Sequence, residues 1–181
     1  LLSYKLVLLI ATFVSSILIY IFLRFYFSPN LALLGTFVFN FAPYRIINVY
    51  TRGSLPEYTA SMGIPLVLIS LYLILQKKNM WGLPLLTVST ALLFLSHPFV
   101  IIVGSFLFVP YFLFNLKSQK RKIQLAAWST IAVGIGIGLT GYYSLPLFLE
   151  IKYFYYGQAG DKLSPGHFMG LTNYFSNTWN Y

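Results

Sequence analysis

Residues 6–23 form an uninterrupted run without a single charged side chain, and this run limits what the chain can become more than any other feature. At about 1.5 Å per residue it spans a hydrocarbon core about 30 Å thick. It is too long, and too poor in small residues at a cleavage position, for a secretory signal. The rest of the chain repeats the pattern. With 58% hydrophobic residues and 8% charged in 181, the polar surface is too small to coat a soluble domain. The expected fold class is therefore all-α, a polytopic transmembrane helical bundle.

The sparse charges set the topology. Basic residues beside membrane spans mark the cytoplasmic side. Lys77 and Lys78 fill one gap between apolar runs, and Lys117, Lys120, Arg121 and Lys122 fill another, whereas the three acids, Glu57, Glu150 and Asp161, fall elsewhere. Anchored this way, the chain reads as about six spans with short, kinked helices. Span 6–23 runs inward to Arg24, and 31–47 returns outward, kinked at Pro43. Span 58–75 runs inward with a second kink at Pro65. Stretches 81–95 and 99–114 form a hairpin broken at Ser96-His97-Pro98, since proline disfavours helix in the residue before it. Span 125–142 leads outward. Seven of the twelve Lys and Arg then lie inside and five outside: Lys5, Arg45, Arg52, Lys152 and Lys162.

Residues 1–152 are expected to form the transmembrane domain, and 153–181 to begin an external aromatic segment. The chain opens within an apolar stretch at Leu1, so the domain is read as a fragment of a larger one. Tyr153 to Tyr156 and Trp179 suit an interfacial belt better than a ligand box. A formal net charge of +9 invites a nucleic-acid partner, but the largest basic cluster is a short connector between apolar runs and not a solvated face with interleaved aromatics. The bilayer is the expected partner. With no cysteine there are neither disulfides nor thiolate metal sites.

On this topology three polar segments meet on the outer, extracytoplasmic face: Arg45 through Glu57, then His97, then Glu150 with Lys152. Ionisable groups at membrane depth are functional candidates by default. Arg52 offers a fork that can hold a phosphate, and Glu57 a carboxylate for a proton, a sugar hydroxyl or a metal. Ser54 and Glu57 also fit a capping box with Pro56 in the first helical turn, so Glu57 has a purely structural reading as well. His97 is either a proton carrier and hydroxyl contact or a polar residue tolerated where a hairpin turns near water. Glu150 and Lys152, two apart, do not face each other on a helix. Gly134-Ile135-Gly136-Ile137-Gly138 sits in an apolar span with no strand before it, and Gly134 and Gly138, with Gly141 a turn on, read as helix packing instead of a nucleotide loop.

Tyr44-Arg45, the stretch from Tyr50 to Ala60 with Pro65, Ser96-His97-Pro98, Tyr143-Ser144-Leu145-Pro146 with Glu150, His167-Phe168 and the closing Asn177-Thr178-Trp179-Asn180-Tyr181 together resemble the prokaryotic membrane proteins of the 6-pyruvoyl-tetrahydropterin synthase-related family. That layout is similar to the glycosyltransferase C superfamily. The resemblance implies transfer of a sugar from a polyprenyl-phosphate-linked donor to a glycan, lipid or protein acceptor at the outer face of the cell membrane. Independently of the resemblance, the residues offer groups for such chemistry: Arg52, Lys152 and Arg45 for substrate binding, and Glu57, Glu150 and His97 as catalytic candidates. A divalent ion, Mg or Mn, is a candidate cofactor, with Glu57 as candidate ligand. The superfamily's catalytic acid lies in the first large external loop; no acid precedes Glu57 here, so that loop would precede Leu1, or the chain is not catalytic. A lipid or glycan transporter and a noncatalytic membrane scaffold are the competing classes.

Overall fold

The computed structural model describes residues 2–150, and among these the chain is entirely helical, without a strand. It divides into two units, Leu1–Tyr142 and Tyr143–Tyr181. Eight helices belong to the first: α1 (Leu2–Arg24), α2 (Pro29–Asn40), α3 (Pro43–Tyr50), α4 (Leu55–Ala60), α5 (Gly63–Leu75), α6 (Gly82–Ser96), α7 (Pro98–Leu116) and α8 (Lys122–Leu139). Helix α9 (Gly141–Glu150) leads into the second. The expected boundary after residue 152, and the aromatic segment beyond it, lie outside the described residues.

Among the described residues four helical stretches are long and apolar enough to cross a membrane: Leu2–Arg24, Leu55–Leu75, Pro98–Leu116 and Lys122–Leu139. Helix α6 is apolar but shorter, at 15 residues. The expected span 31–47 is not one helix. Pro43 has no amide to donate to Phe39, so α2 closes at Asn40 and Pro43 becomes the first residue of α3, a new start where a kink was expected. Pro65 acts similarly: the carbonyl of Ser61 has no donor there, and the helix is interrupted at Ser61 and Met62. The break at His97 is as read. His97 has φ −163° and ψ 105°, ends α6 and caps α7, and Pro98 opens α7.

Helix α1 shows how a nearly all-apolar helix finds its orientation. Its buried residues, Ala11, Ser15 and Ile19, recur every fourth position and make one narrow stripe. Helix α5 is buried almost all round. Its Val67, Leu71, Ile74 and Leu75 pack with Leu86 and Leu93 of α6 and Ala132 of α8 into the apolar core. The close approach of α6 and α8 depends on Gly136, where a methyl group would sit 2.6 Å from the Thr87 carbonyl oxygen. Gly134 and Gly138, expected to do this packing, have open space around them. The small-residue contact is real but lies on the opposite face of the helix from the one expected.

Helix directions and contacts separate two ends. Near one, Phe25 stacks on Tyr72 and the Tyr26 and Tyr111 hydroxyls meet at 2.6 Å, while Gln76 of the α5–α6 connector reaches Asn115. Lys77, Lys78 and the Lys117–Lys122 connector follow these contacts directly in sequence. At the other end, α3, α4 and the α6–α7 junction come together.

Candidate functional site

The site is assembled by the turn between α3 and α4. Gly53 has φ +60°, a conformation that a side chain would strain, and it reverses the chain so that Arg52 folds back over Glu57. The guanidinium holds the carboxylate with both arms: Arg52 Nη1 donates to Glu57 Oε2 at 2.7 Å and Nη2 to Oε1 at 2.8 Å. Tyr44 donates its hydroxyl to the same Oε2, and Arg52 Nη1 also donates to Asn48 Oδ1 at 3.0 Å. Tyr44, Asn48 and Arg52 are four residues apart, a spacing that lays them along one face of α3 and its C-terminal turn.

The electrostatics are asymmetric. The Glu57 side chain is only 9% exposed, whereas that of Arg52 is 43% exposed. The bond to Glu57 raises the guanidinium further above its already high range. Partial burial, and next the bond to Glu57, hold the Tyr44 hydroxyl above the usual phenol range, so it remains a donor. His97, from the α6–α7 junction, places Nε2 3.8 Å from Glu57 Oε1, beyond a hydrogen bond but close enough for charge to be felt, and its Nδ1 is buried without a partner.

The capping-box reading of Glu57 is corrected. Ser54 precedes α4, with Pro56 in the first turn as expected, but its side chain makes no capping bond, and its amide goes to the Asn48 carbonyl at 2.9 Å. Glu57 is turned to the Arg52 fork and the Tyr44 hydroxyl instead. An ionised carboxylate gains more from two charge-assisted bonds and a hydroxyl than from one backbone amide.

Arg45 is a different kind of cation. It is 5% exposed, its Nη1 donates to Ser61 Oγ and its Nη2 to Ser15 Oγ at 3.1 Å, and its guanidinium lies 4.6 Å from the Phe39 ring centroid and 4.5 Å from that of Tyr58. Two π faces and two hydroxyls thus replace a counter-ion and tie α1, α3 and α4 together. A cavity of about 360 Å³, bordered by Thr12, Asn40, Arg45 and Tyr58, lies between these helices.

Of the residues singled out in the sequence, the fold brings together Arg52, Glu57 and His97, and buries Arg45 behind them. Glu150 ends α9 in the second unit, and Lys152 lies outside the described residues. Tyr44 and Asn48 were missed as site residues; the four-residue spacing with Arg52 was the signal. Among the described residues no three His, Asp or Glu side chains gather as a metal set, and Glu57 is already engaged by Arg52 and Tyr44. Among the described residues the donor set around Glu57 does not fit a protein-built divalent site.

A comparison with curated proteins returned no match, and neither did one with solved structures. The family model described as a 6-pyruvoyl-tetrahydropterin synthase related domain, a membrane protein, matches residues 1–176. The candidate spans among the described residues agree with a membrane protein, and the chain belongs to this family of membrane proteins.

Proposed function

We propose that the chain is a membrane-embedded glycosyltransferase-like protein of glycosyltransferase C-like layout, moving a sugar from a polyprenyl-phosphate-linked donor at the extracytoplasmic face of the cell membrane to a glycan, lipid or protein acceptor. The observation that carries the reading is the Tyr44–Arg52–Glu57–His97 cluster: a nearly buried carboxylate held by a half-exposed guanidinium at the end of an apolar bundle opposite the basic connectors.

The chemistry follows from exchange of partners. Arg52 swings its exposed fork from Glu57 to the donor phosphate. Glu57, released from the fork, takes the proton of the acceptor hydroxyl as that oxygen bonds to the sugar carbon. The bond from that carbon to the phosphate oxygen breaks, and polyprenyl phosphate leaves with the electron pair, its new charge held by Arg52. His97, whose Nε2 lies 3.8 Å from Glu57 Oε1, closes to hydrogen-bond distance and receives the proton from Glu57 afterwards.

The test is transfer of labelled sugar from a polyprenyl-phosphate pool to membrane acceptors by the full-length protein and its Arg52→Ala and Glu57→Gln variants. Transfer lost in both, with the folded protein retained, supports the reading; parent-level transfer in both removes it. The closed bidentate pair favours one other reading, a noncatalytic scaffold in which Arg52 and Glu57 staple α3 to α4. In that case both variants lose thermal stability and the parent transfers nothing. The absence of cysteine makes the side assignment easy to check. Tyr50→Cys should react with an impermeant maleimide from outside and Lys120→Cys only from inside.

A further inference from the structure

At the end opposite the candidate site, a cavity of about 650 Å³ opens between the α5–α6 connector and the start of α8. Three cations border it, Lys78, Lys120 and Arg121, with Gln124 as a further donor and Met80 and Trp128 as an apolar margin. Among the described residues none of the three is in an ion pair: Glu57 is held by Arg52 at the far end, and Glu150 belongs to the second unit. Three positive charges around one concavity repel one another unless an anion joins them.

We infer that this cavity binds the phosphate of an anionic phospholipid of the surrounding bilayer. Lys78 sits in the left-handed region, at φ 51°, just past the end of α5, a position where glycine or asparagine is the ordinary choice. The chain thus carries a cation at a connector position whose backbone conformation disfavours a side chain. Arg121 stands at the N-cap of α8 without a side-chain cap, so the positive end of an 18-residue helix starts at a residue that borders the concavity. The apolar margin points to lipid in preference to a soluble anion. Trp128, exposed, borders the cavity in the manner of an interfacial anchor, and together with Met80 it gives glycerol and upper acyl carbons an apolar edge next to the cations. This inference is independent of the proposed transfer reaction.

The decisive measurement uses the intact protein in nanodiscs of phosphatidylcholine doped with a photoactivatable phosphatidylglycerol whose reactive group sits in the headgroup. Crosslinks are expected in peptides covering 78–81 and 118–128, at roughly ten times the yield of a phosphatidylcholine probe. The variant Lys78→Gln/Lys120→Gln/Arg121→Gln should lose that excess, and Lys5→Gln should keep it. Because removing connector charges can disturb insertion, Lys78→Arg/Lys120→Arg, which retains charge, should preserve the labelling pattern. Labelling spread evenly over the apolar surface, equal yields from the two lipids, or displacement of the lipid by millimolar inorganic phosphate overturns the assignment, the last by making the cavity a site for a free anion.

Discussion

The half of the first unit built from α1 to α4 and the half built from α5 to α8 look equally hydrophobic as sequence, yet their interiors hold together by different chemistry. In the second half the centre is aliphatic: Val67, Leu71, Ile74, Leu75, Leu86 and Leu93 interdigitate, and two tight spots are glycines against backbone carbonyls, Gly136 against Thr87 and Gly82 against Ser70. In the first, the interior is wired by polar groups. Arg45 bonds Ser15 and Ser61, the Tyr58 hydroxyl meets Thr12 Oγ1 at 2.6 Å, and Asn40 reaches Ser16 at 2.8 Å. Lipid provides no hydrophobic drive for helices to associate, so shape and hydrogen bonds must do it. The aliphatic half uses shape and serves as a frame. The polar half uses directional bonds that can be exchanged for a ligand's, and it carries the candidate site.

The sharpest way to break this contrast is Arg52→Ala. On the transfer reading, donor-dependent product falls about 100-fold or more, since the group that stabilises the leaving phosphate is gone. The half-exposed pair itself contributes only about 1 kcal/mol to stability, so thermal unfolding in detergent should hardly move. A large drop in Tm with no transfer in the parent would make the polar half a packing device like its neighbour.

Leu93→Ala probes the frame. Leu93 is 1% exposed, and its truncation should cost about 3 kcal/mol of stability, read by thermal or SDS unfolding, with little change in the polar network. Gly136→Ala should cost about 1–2 kcal/mol by the same assay, because the Thr87 carbonyl cannot yield as a side chain would. Gly134→Ala and Gly138→Ala should cost nothing. Equal losses at all three glycines would sink the α6–α8 packing described above.

Tyr44→Phe is the finest probe of the polar half. It removes one donor to Glu57 while Arg52 remains, so a loss of about 1 kcal/mol and a severalfold drop in transfer are expected. No effect on either would leave the Arg52 fork as the whole of the Glu57 environment.

Where sequence reading succeeded, the controlling interaction was local. Ser96-His97-Pro98 breaks the helix because the proline ring acts on its immediate neighbour, and the His97 backbone obeys. Where it failed, the partner was distant or the choice lay between two satisfactory local options. Pro43 was equally consistent with a kink and a new start, and whether α3 can turn away is decided by what Arg45 finds in α1 and α4. Ser54 and Glu57 had the capping spacing, but the spacing is silent about a guanidinium folded back by Gly53. Gly134, Gly136 and Gly138 share one apolar run, and only the rotation of α8 against α6 selects the middle one.

The sequence alone determined that the chain is helical, that it belongs in a bilayer, and that within the first unit its basic connectors fall together away from Arg52, Glu57 and His97. These follow from run lengths, proline positions and charge placement, which act through the solvent and the nearest residues. Only the tertiary structure decided that Arg45 is interred between two rings, that Glu57 answers to Arg52 and Tyr44 and not to Ser54, and that three connector cations converge on one cavity. Each of these depends on which faces of separate helices meet, and in a chain apolar nearly all round, periodicity does not encode that choice.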